Sequence, residues 1–336
     1  MNSPEFKKPK KKILVTGAAG FIGSRLAQML HQMGLLVMPM DHLDKTGNKP
    51  HIPGWIQSEC QSPTQLESLA EDPQTKIEGI FHLGACSDTT ETDWNYLLEN
   101  NVNFSKRLWE LAIQNECPFI YASSAATYGD GGKGYSDQED QMSELKPLNL
   151  YGQSKLDFDL WALDQEKSGT APKAWSGFKF FNVYGFGEHH KGHMASMVHK
   201  AFYQIKEKGE VKLFKSHRED IKDGHQSRDF ISVEDVCDVL LYAFQKPISR
   251  GIYNLGTGRA RSFLDLVEAV FKEMDREPQI IWVEKPPEIR KQYQYFTQAE
   301  MGKLRKEGYS KPFTRLEEGV ATAVSRLQEF EFQKVQ

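Results

Sequence analysis

Cysteine is scarce in this 336-residue chain: Cys60, Cys86, Cys117 and Cys237 are scattered, with no C-x-x-C pair. This excludes a disulfide-framed scaffold and suits a reduced compartment, so a cytoplasmic setting is expected. Long apolar runs are also missing. None approaches the ~20 residues that a membrane span needs, and no membrane partner is expected. Nor does one sign of charge dominate: 42 basic and 46 acidic side chains leave a net charge of −4. Such a balance offers no polyanion-binding surface and argues against nucleic acid as a partner. The one basic concentration is Lys7, Lys8, Lys10, Lys11 and Lys12, and it reads as a solvated, disordered tail over residues 1–11. Internal repeats and low-complexity linkers are absent.

What is present is a set of short strings that carry chemistry. Ile13-Leu14-Val15 reads as a strand, and Gly17-x-x-Gly20-x-x-Gly23 follows it, opening a helix near Phe21. Strand, glycine turn and helix form the context in which a dinucleotide is seated. A Cβ would keep the backbone from the pyrophosphate, whose charge helix N-terminal N–H groups stabilise. Asp41 ends the second strand, where an acid bonds ribose hydroxyls and favours NAD. Lys45 and Lys49 follow closely and could instead neutralise a 2′-phosphate. Leu83-Gly84-Ala85-Cys86-Ser87 ends another strand in small residues against which a dinucleotide could lie. Cys86 reads as a small filler rather than a nucleophile, since no cation lies near it in sequence.

Tyr151-x-x-x-Lys155 places a phenol and an amine on one face of a helix. A free phenol titrates near pH ~10 and is a poor base at neutrality. An ammonium ~4 Å away at an effective dielectric of ~20 contributes on the order of 4 kcal/mol, enough to lower that pKa by several units. Tyr151 could then take an alcohol proton while hydride leaves to a nicotinamide. Ser124 sits at a strand end in Tyr121-Ala122-Ser123-Ser124 and could hydrogen-bond the same substrate oxygen.

Strands at Ile13–Thr16, Leu36–Asp41, Ile80–Leu83, Phe119–Ser123 and Trp175–Phe181 alternate with helices at Phe21–Met33, Asp93–Asn115 and Tyr151–Glu166. This order predicts an α/β fold, a Rossmann-type doubly wound parallel sheet. Beyond Gly185 come predicted helices at Met194–Lys208, Ser232–Phe244 and Ser262–Met274, the last opened by the capping pattern Ser262-x-x-Asp265. The expected organisation is a dinucleotide-binding domain over 12–185. A smaller, interleaved substrate lobe occupies mainly 186–332, with segments returning to the sheet.

These residues resemble the extended short-chain dehydrogenase/reductase family, whose members act on nucleotide-linked sugars, from Ile13 to about Leu327. The likeness narrows toward its nucleotide-sugar epimerases at Gly84-Ala85-Cys86-Ser87, Phe181-Asn182-Val183-Tyr184-Gly185, His190-Lys191-Gly192-x-Met194-Ala195-Ser196 and Phe296-Thr297-Gln298-Ala299. The resemblance implies an internal redox cycle. A tightly held cofactor takes hydride from C6 of the sugar, the exocyclic carbon rotates, and hydride returns to the other face. Tyr151, Lys155 and Ser124 would be catalytic, with Lys191 as a second acid/base.

NADP is the implied cofactor, with NAD left open. Beside the glycines, Asp41 and the strand-end run 83–87, the resemblance places Phe21, Ile22, His42, Lys49 and Asn100 on it. Val183, Lys191, Tyr151 and Lys155 complete that surface. Substrate contacts would come from Ser124, Asn182, His193, Lys200, Phe214, Arg228 and Tyr293, Arg228 clamping the diphosphate with its planar fork. A homo-oligomer is also implied. The departures fall in the second half: a longer loop from Ser216 to Ser227, His193 and Lys200 in place of a serine and a histidine, and Gln292 in place of an arginine.

Other readings are weaker. His189 and His193 stand four apart, but zinc wants a third ligand and no Glu follows His189 in the H-E-x-x-H manner, so no metal is expected. A 4,6-dehydratase should carry Asp-Glu where Ala125 and Ala126 stand. A UDP-hexose 4-epimerase shares the Ser/Tyr/Lys set but does not need Lys191. A catalytically silent dinucleotide sensor would not need the Tyr/Lys pair.

Overall fold

The structure is a computed structural model that describes residues 10–43, 52–71, 75–286 and 293–334. Six strands form one parallel sheet: β1 (Lys10–Thr16), β2 (Val37–Met40), β3 (Thr75–His82), β4 (Phe119–Ser124), β5 (Trp175–Phe180) and, from much later in the chain, β9 (Gly251–Leu255). Their order is β2-β1-β3-β4-β5-β9. The chain reverses direction across the sheet between β1 and β3, which opens a crevice at their carboxyl ends.

Alternation along the strands divides the core. Ile13 and Val15 face one layer while Leu14 faces the other. On the first side pack α1 (Phe21–Gln32) and α5 (Val233–Gln245). On the second lie α2 (Phe104–Gln114) and α3 (Leu150–Lys167), with Trp109 and Phe158 buried against Phe119 and Tyr121. Thus α5 and β9 belong with the dinucleotide sheet, although they follow residue 186. Helices α4 (Met197–Lys208), α6 (Phe263–Glu273) and α7 (Leu316–Gln333) gather round a separate core that includes Phe202, Val267, Phe271 and Val320. Beside them are two small sheets, β6 (Asn182–Tyr184) with β8 (Ser227–Ser232) and β10 (Ala260–Ser262), and β7 (Val211–Phe214) with β11 (Ile280–Val283).

Two boundaries differ from the sequence reading. Lys10, Lys11 and Lys12 belong to β1 rather than to a tail, because Lys10–Lys12 pair with Thr75–Ile77 and Lys11 meets Glu78 at 3.0 Å. The tail's other residues, 1–9, lie outside the described residues. The helix expected over 93–115 is interrupted at Leu98–Asn103 by a wider π turn, whose Asn101 bonds outward as described below. Ser262 does cap α6, with Asp265 completing the reciprocal box.

Candidate active site

The glycine turn packs backbone on backbone. Gly17 takes φ +68°, and a Cβ on it would stand 2.6 Å from the Gly84 nitrogen; one on Gly23 would meet the Gly17 oxygen at 2.0 Å. Gly20 has only that same oxygen at 3.0 Å, so among the three it leaves a face for a ligand. The first-turn N–H groups of α1, at Phe21 and Ile22, lack intrahelical partners by helix geometry and supply an anion site. Asp41 braces the turn: one oxygen accepts the Ala19 N–H at 2.8 Å and the other the His42 N–H at 2.7 Å. Lys45 and Lys49 lie outside the described residues.

A cleft of about 960 Å³ runs from this turn over the ends of β3, β4 and β5. Phe21, Ile22, Leu83, Ala85, Cys86 and Ser87 wall one end; Ser124, Tyr151, Lys155, Asn182, Val183 and Lys191 meet in the middle; Lys200, Phe214 and Tyr293 line the other end. The chain therefore brings together side chains spread from residue 21 to residue 293.

Helix α3 delivers the phenol. Asn149 caps it by accepting the Gly152 N–H at 2.8 Å. Gly152 lets its first turn press on the β4 end: a Cβ would come within 2.8 Å of the Ala126 oxygen. Tyr151 consequently meets the Ser124 hydroxyl. One turn on, Lys155 donates from Nζ to the Ala122 carbonyl at 2.9 Å. Burial disfavours the Lys155 ammonium and brings its pKa down to about 8, partly offset by Asp159. The expected lowering of the phenol is not found. Burial raises the Tyr151 pKa, and the Ser124 hydrogen bond only moderates this. Desolvation is the largest influence on each of the two groups.

On a separate loop, Lys191 places Nζ 3.3 Å from the fully buried Glu188 carboxylate and 5.1 Å from the Phe21 ring centre. Behind the far end, and not itself part of the cleft lining, Arg228 is 8% exposed, with its guanidinium between the rings of Phe263 (5.6 Å) and Tyr293 (5.2 Å). It donates to the carbonyls of Ser227 and Gln294, and no carboxylate pairs with it among the described residues.

Three expected contacts sit elsewhere. Asn100 turns back to the Tyr96 carbonyl at 2.7 Å, off the cleft. Its neighbour Asn101 does the anchoring, accepting the Cys86 N–H and donating to the Cys86 carbonyl and the Ser154 hydroxyl. His193 is largely exposed and faces Asp88 at 3.7 Å rather than the cleft. Its carbonyl accepts the Lys200 ammonium at 2.7 Å. His42 follows β2, outside the cleft wall. Among the described residues no three His, Cys, Asp or Glu side chains converge as a metal site; His189 instead packs on His199, centroids 5.1 Å apart.

Two buried networks under the site escaped the sequence reading. In the first, the Gly84 N–H donates to Thr16 Oγ1, which bonds His82 Nδ1 at 2.8 Å; His82 Nε2 meets Ser105 Oγ, and Ser105 donates to the Asn101 carbonyl. Only the Nε2-protonated tautomer satisfies that order. Burial, with Lys155 nearby, lowers the His82 pKa to about 3, so the ring is neutral. In the second, the Lys179 ammonium meets Asp159 at 2.8 Å and Thr127 Oγ1 at 2.7 Å, both ions fully buried, while Tyr121 and Ser123 donate to the same carboxylate. Thr127 in turn donates to the Ser124 carbonyl. A lysine inside the apolar run Trp175–Phe180 was the available signal.

A parallel sheet with a glycine turn, a dinucleotide crevice and a Ser/Tyr/Lys set defines a nicotinamide-dependent enzyme class. The model of the NAD dependent epimerase/dehydratase family matches residues 13–256, and the chain belongs to that family. It is 44% identical over 322 residues to the ADP-L-glycero-D-manno-heptose-6-epimerase of Fusobacterium nucleatum, covering 92% of this chain and 95% of that one. The crystal structure of the Helicobacter pylori ADP-L-glycero-D-manno-heptose-6-epimerase superposes with a TM-score of 0.79 at 27% identity, over 98% of this chain and 99% of that one. MoeE5 in complex with UDP-glucuronic acid and NAD gives a TM-score of 0.74 at 26% identity, over 95% and 99%.

Proposed function

We propose that this chain is an ADP-glycero-manno-heptose 6-epimerase that uses bound NADP, acts in the cytoplasm and supplies heptose for the lipopolysaccharide core. The observation that carries this reading is the convergence, in one cleft, of Ser124, Tyr151 and Lys155 with Lys191 from a separate loop. Two acid/base groups suit an inversion, in which the same oxygen gives up a proton and later regains one. The relatives' printed activity supports the substrate.

The dinucleotide fits the residues present: the open face at Gly20, the free N–H groups opening α1 and the small-residue wall after β3. When bound, it supplies the acceptor and donor of the hydride. The protein does the remainder. Ser124 holds the substrate oxygen, and Tyr151 would take its proton as the phenolate, the form that burial disfavours and a positively charged nicotinamide ring would favour, with Lys155 one turn along the same helix. Once the exocyclic carbon has turned, Lys191 returns a proton to that oxygen. Arg228, a buried cation without a carboxylate partner among the described residues, suits the substrate diphosphate. NADP over NAD rests on the resemblance, which places Lys49 near the 2′-phosphate.

The test is proton NMR of ADP-D-glycero-D-manno-heptose with purified protein and no added cofactor. Appearance of the L-glycero epimer is expected; no conversion by folded, NADP-loaded protein would overturn the substrate assignment. Fluorescence titration should show NADPH binding more tightly than NADH, and the reverse order would reassign the cofactor.

A further inference from the structure

Glu188 has no exposed surface, yet it carries a carboxylate in the wall behind the cleft. A buried charge persists only when hydrogen bonds and an opposite charge replace the lost water. Three donors hold it: the Ser196 N–H at 2.7 Å, the Ser196 hydroxyl at 2.6 Å and the Gly185 N–H at 3.3 Å. Its one ion-pair partner among the described residues is Lys191, at 3.3 Å. The turn between them is closed by the Lys191 N–H on the Glu188 carbonyl at 2.9 Å, so both ends of the pair belong to one rigid loop.

We infer that Glu188 is the positioning residue of Lys191, holding its amine aimed into the cleft so that it stands as proton donor. The inference rests on the proposed acid/base role of Lys191 and adds the residue that holds its amine in place. Lys191 has its ammonium beside a fixed, desolvated carboxylate, whereas Tyr151 meets the Ser124 hydroxyl. In the oxidising half the alcohol O–H bond breaks and its proton goes to the Tyr151 phenolate, while the carbon gives up its hydride to the dinucleotide that would be bound. In the reducing half the ketone carbon regains its hydrogen, and the oxygen takes a proton from Lys191 Nζ. Solvent exchange then restores Lys191 and Tyr151 to their starting states. The Phe21 ring from α1 and His199 and Lys200 from α4 also face the amine; Lys200 is itself a cation and commits its ammonium to the His193 carbonyl. Glu188 therefore opposes the repulsion that Lys200 exerts on Lys191.

A double-mutant cycle decides this. Glu188→Gln should lower kcat/KM at least tenfold in the native background and less than twofold in Lys191→Met. Glu188→Asp keeps the charge and gives a second reading should the amide variant fold poorly; its loss should be smaller and again confined to chains that have Lys191. Equal losses with and without Lys191 would make Glu188 a support of the loop alone and overturn the inference. Normal turnover by Lys191→Met would overturn it too, together with the role proposed for Lys191, and this outcome is distinct from the additive one.

Discussion

Asp159 lies one turn beyond Lys155 on the same face of α3, and its ion pair with Lys179 has no water to fall back on. Asp159→Asn should therefore destabilise the fold by about 3–5 kcal/mol in denaturant titrations, because it strands a buried ammonium. An apolar exchange of both partners should cost less, and an equal cost would show that Asp159 acts apart from Lys179. Tyr151→Phe belongs to the same scale. It should reduce kcat by about 10²–10⁴-fold while leaving dinucleotide binding intact, as steady-state rates beside a fluorescence titration would show. The glycine turn and the Tyr/Lys pair were legible because each is a spacing within a few residues. Lys179, His82 and Glu188 were not read as parts of the site. The first two find partners across the fold, Thr16 and His82 being 66 positions apart, while Glu188 is buried by a loop closure that no local pattern announces.

At the scale of elements, the site depends on how closely α3 can approach the end of β4. Gly152→Ala would place a methyl 2.8 Å from the Ala126 carbonyl. The helix must retreat, Tyr151 must leave Ser124, and kcat should fall more than tenfold with KM for the nucleotide sugar little changed. An unchanged kcat would mean that the helix has slack. The π turn at Leu98–Asn103 has a comparable role, because it turns Asn101 toward Cys86 and Ser154. Periodicity predicted a continuous helix there, since a single extra residue in one turn leaves the apolar pattern nearly intact.

Across the whole molecule, the parallel sheet and the return of later segments to it followed from strands alternating with helices, whereas the identity of those segments, α5 and β9, did not. An apolar helix or strand buries equally well in either lobe, and only long-range register such as Ser176 with Gly251 selects the sheet. One property of the whole fold follows from His82. Its folded pKa, about 3, lies below the ordinary 6.5, so the unfolded chain binds the proton more readily. Its contribution is present above pH 6.5 and is lost as pH falls toward 3, at up to about 1.4 kcal/mol per pH unit. Urea titrations between pH 7 and pH 5 should show that decline, and His82→Gln should flatten it; an identical slope would remove His82 from the acid response.

Hydride transfer out and back within one cleft is the central claim, and isotope retention tests it most directly. ADP-D-glycero-D-manno-heptose deuterated at C6 should yield an epimer that keeps its deuterium when turned over in ordinary water, as mass spectrometry would show. Loss of the label to solvent would mean that the carbon is inverted by deprotonation, and would contradict the account.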